Sequence, residues 1–196
     1  DLHQKYKHPS LKTLLLYWFQ NEVFFHHDIL FEFDKYLKDH DIVFEVRVTD
    51  FLYENNMDKR GFSRMGAEAI ACATDQNRFW DYYHQAIRRL WQDYHSKGIG
   101  SSKNAPAIKN LTPAYWESIA SDVKLDNSFK SCLSEHKMLE TVKQNTADAT
   151  TLMLRHNLGG MPSFKFNNFT SSGFDTNWDY SYVERYLAAG LDKNLK

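Results

Sequence analysis

At 196 residues the chain has room for one domain, or for one domain carrying a large insertion. Hydrophobic residues make up 42% and aromatics 15%, which excludes a disordered composition and supplies a packed core. Lysine plus arginine number 24 against 25 aspartate plus glutamate, and no dense basic run occurs, which excludes the charge footprint of a nucleic-acid binder.

Residues 1–10 are polar, with a break at His8-Pro9, and read as a leader. Lys12 to Phe19 (KTLLLYWF) is a continuous apolar run, the pattern of a strand covered on both faces. Past Gln20-Asn21-Glu22, apolar residues recur at Phe25, Ile29, Leu30, Phe33 and Leu37, the spacing of an amphipathic helix. Asp39-His40-Asp41 ends it, and Ile42 to Val48 (IVFEVRV) is a second strand. Strand, helix and strand with short links make a βαβ unit with parallel strands.

From about Arg60 to His156 the patterns are helical. Gly66 to Leu90 reads as one long amphipathic helix, in which Phe79, Trp80, Tyr82, Tyr83 and Trp91 just beyond it are expected in the core. Lys97 to Pro113 is a polar linker, and Thr112-Pro113 has the form of an N-cap followed by proline at the first helical position. Helices are expected over 113–121, near 128–134 and from about Lys137 to His156, with Gly159-Gly160 as the stop. Ser163 to Phe166 and Ser171 to Phe174, around Asn167-Asn168, read as a hairpin, and Tyr180 to Leu187 as a final helix. No apolar stretch reaches the roughly 18 residues of a membrane span. The sequence opens at Asp1, as a processed or trimmed chain does, so the lack of a signal peptide carries no information about compartment.

This order is that of an α/β thioredoxin-like fold interrupted by an all-helical insertion: 1–58 and 157–196 form the thioredoxin-like part, and 59–156 the insertion. Three segments, in order, resemble the DsbA family of thiol-disulfide oxidoreductases. They are LLYWFQNEVFFHHDILFEFDKYL at the family's opening strand, active loop and first helix; AIACATDQNRFWDYYHQAI at the alanine-rich helix of its insertion; and Gly160-Met161-Pro162-Ser163-Phe164 at its cis-proline loop. The resemblance implies a cis bond at Pro162 that frees the backbone of Met161 to pair with an extended peptide. Read alone, without the resemblance, Pro162 is a trans proline opening a strand, since X-Pro bonds in folded proteins are cis only about 5–6% of the time.

The sequence departs from the family where the chemistry would be. A Cys-x-x-Cys pair belongs at the start of the first helix, where the helix dipole lowers a thiol pKa. The degenerate positions are Val23, Phe24, Phe25 and His26. Gln20 to Phe33 also lacks serine, threonine and tyrosine, so the hydroxyl that related kappa-class glutathione transferases use is missing too. The two cysteines, Cys72 and Cys132, match positions that the resemblance implies form a structural disulfide, and the alternative is two buried free thiols. A disulfide would imply an oxidising compartment.

Other residues weigh less. His26-His27-Asp28 with His40 lacks metal-ligand spacing and reads as a solvated helix start, so no metal and no cofactor is expected. Phe24 and Phe25 would either form an exposed apolar patch beside Pro162 or send one ring inward against the sheet. Asn110-Leu111-Thr112 and Asn168-Phe169-Thr170 match the glycosylation pattern, the first spoiled by Pro113. The expected function is therefore binding: a non-catalytic, periplasmic or secreted protein that holds a peptide or protein partner at Phe24, Phe25, His26, Met161 and Pro162. Its rivals are an oxidoreductase using Cys72 and Cys132, and a structural envelope component whose groove is filled by its own side chains.

Overall fold

The computed structural model describes residues 12–18, 39, 42–100, 105–159, 163–166 and 169–172. Its sheet has the strand order β2-β1-β3-β4, with β1 at Lys12–Trp18, β2 at Ile42–Val48, β3 at Ser163–Phe166 and β4 at Phe169–Ser172. β1 pairs parallel with β2, from Lys12 opposite Ile42 to Trp18 opposite Val48. It pairs antiparallel with β3, from Leu14 opposite Phe166 to Tyr17 opposite Ser163. The two apolar runs KTLLLYW and IVFEVRV are thus neighbours, as near-continuous hydrophobic strands of a parallel pair should be. The hairpin differs from expectation in its second strand. Phe166 pairs with Phe169, so β4 follows Asn167-Asn168 directly instead of starting at Ser171.

Among the described residues the α-helices seen end to end are α1 at Phe51–Glu54, α2 at Phe62–Thr74, α3 at Phe79–Asp93, α4 at Pro113–Asp122, α5 at Ser128–Ser134 and α6 at Leu139–His156. The expected single helix over 66–90 is two helices. Asn77 takes a left-handed backbone (φ 55°), and the Ala73 carbonyl accepts the amides of Gln76 and Arg78, which closes α2. The break is held from outside. Gln76 Nε2 donates to the Ser128 hydroxyl at 3.0 Å, and Gln76 Oε1 accepts the Asp126 amide at 2.9 Å. α4 begins as expected, with extended Thr112 at the cap and Pro113 at the first position. α6 ends at His156 as expected, but its stop is Asn157 and not Gly159-Gly160: Asn157 is left-handed (φ 51°), and the Leu158 amide donates to the Met153 carbonyl.

Among the described residues the larger core cluster lies among the helices. Ala67, Ala69, Ile70, Ala71 and Ala73 of α2 share one buried cluster with Phe79, Tyr82, Tyr83, Ala86 and Leu90 of α3, Trp116 and Ile119 of α4 and Phe129 of α5. The alanines let the helices approach closely, and the aromatics of α3 fill what remains. Burial pushes the Tyr82 phenol well above its ordinary range, so it is a neutral donor to the Trp116 carbonyl at 3.1 Å. Trp91 is a correction: it is 43% exposed. The inward stripe of α3 runs through 79, 82, 83, 86 and 90, and position 91 falls a further turn of about 100° away from it. A smaller cluster of Ala149 and Leu152, packed by Phe51, Leu52, Met153 and Leu158, docks α1 on the end of α6.

Candidate functional site

The register of the sheet defines one end of the molecule. β1 and β2 run together and finish at Trp18 and Val48, and β3 starts at Ser163, opposite Tyr17. The chain therefore leaves β1 and enters β3 on adjacent strands at the same end. Val23, Phe24, Phe25 and His26, which follow β1 in sequence, and Met161 and Pro162, which precede β3, lie outside the described residues. So do His27, Asp28 and His40. Among the described residues no group of three or more His, Cys, Asp or Glu side chains is placed to hold a metal ion.

What the structure does show at that end is a buried polar cluster that the sequence did not announce. Thr49 and Asp50 follow β2 and are buried, Asp50 completely at 0% exposure. The Asp50 amide donates to the Thr146 hydroxyl at 3.0 Å. The single proton of that hydroxyl has Asp50 Oδ1 at 2.6 Å and the Val142 carbonyl at 3.0 Å as acceptors. Arg64 Nε donates to Asp50 Oδ2 at 2.5 Å, and Arg64 Nη2 also reaches Glu54. The Tyr53 ring covers the guanidinium, 3.8 Å from its centroid. One residue before Thr146, Asn145 Nδ2 donates to the Val48 carbonyl at 3.2 Å. Partial burial works against the charge of Arg64, yet the hydrogen bond and charge of Asp50, with Glu54 behind it, hold its pKa above the ordinary arginine range. Both α2 and α6 are thus fastened to the outlet of β2.

The two cysteines are elsewhere. Cys72 on α2 and Cys132 on α5 form a disulfide with a Cα–Cα distance of 5.9 Å. At 1% and 6% exposure it is enclosed by the helical core. A second link lies beside it in sequence: Glu68, one turn before Cys72, is bonded to His136, just past the end of α5, with Nδ1 and Oε2 2.9 Å apart. Glu68 is 2% exposed, and His136 is its side chain's hydrogen-bond partner among the described residues. Replacing His136 with asparagine, which tolerates the left-handed backbone there (φ 53°), is expected to cost about 1–3 kcal/mol in urea denaturation by stranding that carboxyl. A loss under a few tenths of a kcal/mol would show that Glu68 finds another partner.

No protein-family model and no curated protein matches the sequence. Solved structures do match in three dimensions. A thioredoxin-like oxidoreductase from Silicibacter pomeroyi superposes with a TM-score of 0.57 at 14% identity, covering 91% of this chain and 85% of that one. BdbD from Bacillus subtilis, in its oxidised form, gives 0.57 at 15% identity, over 91% of this chain and 86% of that one. MdbA from Corynebacterium diphtheriae, a thiol-disulfide oxidoreductase, gives 0.59 at 15% identity, over 91% and 84%. At such identities the likeness is one of fold. The chain has an α/β thioredoxin-like fold interrupted by a helical insertion, the architecture of the DsbA-like proteins.

Proposed function

We propose that this is a non-catalytic DsbA-like protein that binds an extended segment of a peptide or protein partner beside Phe24, Phe25, His26, Met161 and Pro162. The observation that carries the reading is the fate of sulfur. The sequence has two cysteines, and both are committed to one disulfide buried in the helical core. The segment that follows β1 therefore has no thiol to offer, and Val23 to His26 take the place of a Cys-x-x-Cys pair. Thiol-disulfide exchange needs an accessible thiolate, so a fold without one at that place is left with binding. Strand addition against the backbone of Met161 is the mode proposed. The disulfide also supports an oxidising, extracytoplasmic setting. Among the described residues no helix is long and apolar enough to cross a membrane.

The rival draws on the thiol-disulfide oxidoreductases among the structural neighbours, and would use Cys72 and Cys132 themselves. One pair of assays separates the two. In the first, dithiothreitol-driven reduction of insulin with the protein present is expected to run no faster than without it. In the second, permanently unfolded, carboxymethylated lactalbumin serves as the polypeptide probe. The protein is expected to bind it, and Phe24→Glu with Phe25→Glu to weaken binding about tenfold or more. Catalysed insulin reduction, or binding indifferent to those two substitutions, would overturn the proposal.

A further inference from the structure

We propose that Glu68 is the proton acceptor for closure of the Cys72–Cys132 disulfide, and that His136 holds its carboxyl in place for that step. The inference concerns how the chain acquires its disulfide, and it stands whether or not the chain binds a partner.

Packing alone does not account for Glu68. In the buried run from Gly66 to Ala73 it is the one charged side chain, and at 2% exposure its carboxyl is costly to desolvate. An apolar residue there would serve the core at least as well. What distinguishes the position is its neighbour. Residues four apart on a helix share a face, so Glu68 and Cys72 are adjacent on the side of α2 that meets Cys132. The other segment repeats the spacing. The Lys137 amide donates to the Cys132 carbonyl at 3.0 Å, and this turn sets His136 four residues beyond Cys132 with a left-handed backbone (φ 53°). From there Nδ1 of His136 lies 2.9 Å from Glu68 Oε2. The Glu68–His136 bond and the disulfide are therefore consecutive links between the same two segments.

Closure calls for a base at that place. A thiol attacks only as its thiolate, and a thiol enclosed by apolar side chains ionises poorly. Cys72 ends at 1% exposure, against 6% for Cys132, so little water is left to take its proton as α2 docks. The oxidant is a low-molecular-weight disulfide such as oxidised glutathione. The Cys132 thiolate bonds to one of its sulfurs, and the other leaves as a thiolate that takes up the Cys132 proton. Glu68 then accepts the Cys72 proton, and the Cys72 thiolate attacks the Cys132 sulfur. The mixed disulfide breaks, and the second small thiolate leaves and takes the proton from Glu68. Two electrons pass from the two cysteines to the oxidant, and Glu68 is restored.

The test starts from the reduced chain carrying one glutathione on Cys132, prepared in urea at acid pH and identified by peptide mapping. Dilution into neutral buffer starts closure, and acid quenching with mass spectrometry follows the release of glutathione. Glu68→Gln keeps the shape and a hydrogen bond to His136 but removes the base. Glu68→Asp keeps the carboxyl and disturbs the packing more. Closure is expected to be about tenfold or more slower in Glu68→Gln, and within about threefold of wild type in Glu68→Asp. In strong urea, where no fold positions residue 68, all three chains are expected to close at one rate. Wild-type closure in Glu68→Gln, or equal slowing in Glu68→Asp, would overturn the proposal, because a packing role predicts either. So would slowing that persists in strong urea, or a reduced Glu68→Gln chain whose circular dichroism is that of the unfolded chain.

Discussion

Replacing Cys72 and Cys132 together with alanine is expected to lower stability by about 4 kcal/mol and the thermal midpoint by ~10 °C. The pair joins positions 60 residues apart, so its removal releases a large loop in the unfolded chain. Within the chain-entropy account the effect lies in that unfolded ensemble, so the folded structure of the variant should be unchanged. Local packing contributes less, since cysteine and alanine differ by one heavy atom. Each lost sulfur leaves a small void among close-packed neighbours such as Phe129 and Leu133. Equilibrium urea denaturation of wild type and double variant under non-reducing conditions checks the figure. Wild type in dithiothreitol should reproduce the variant once the bond is reduced. A difference below ~1 kcal/mol would mean that the helices between Cys72 and Cys132 hold the loop closed without help.

The second large effect is expected at Arg64. Arg64→Ala removes the cationic partner of a carboxylate that has no exposure to water, and a loss of about 3–5 kcal/mol should follow. Thr146 would still donate to Asp50, but a neutral hydroxyl does not offset a buried charge as a guanidinium does. The double variant Asp50→Asn with Arg64→Met should recover part of that loss, because no uncompensated charge then remains inside. The same denaturation experiment reads both. If Arg64→Ala costs under ~1 kcal/mol, or if the double variant is worse than the single, Asp50 is not held by Arg64 as a buried ion.

These two sites differ in how far the sequence reveals them. Cys72 and Cys132 stood out because the chain has no others and because the surrounding segments resemble a known pair. Asp50, Arg64 and Thr146 are ordinary polar residues scattered across three elements, and no local pattern joins them. The available hint was weak: a Thr49-Asp50 pair directly after the run IVFEVRV, where the chain must leave the sheet. β1 and β2 were legible because their apolar runs are too short for a helix and rich in β-branched or aromatic residues. The break between α2 and α3 was not, since the bonds from Gln76 to Ser128 and Asp126 that hold it come from residues about 50 positions away. The short α1 was missed for a related reason: four residues are too few to show a period, and docking on Ala149 and Leu152 holds them. Trp91 lies outside the core because it falls beyond the stripe ending at Leu90, a distinction its aromatic character hides in the sequence. The degenerate loop and the cis-proline motif rested on resemblance, and their residues lie outside the described parts of the chain.

The register of β1 also sets an order of events as the chain emerges from a ribosome or translocon. β1 can meet β2 once residue 48 is out, but its other edge waits for Ser163. Between the two, every residue of the helical core and both cysteines become available. The insertion can therefore close and oxidise while the sheet is still open on one side, its growing edge unpaired until the last strands arrive. A chain interrupted after residue 156 would carry a finished helical core and half a sheet, a state in which the open edge of β1 is a natural handle for chaperones.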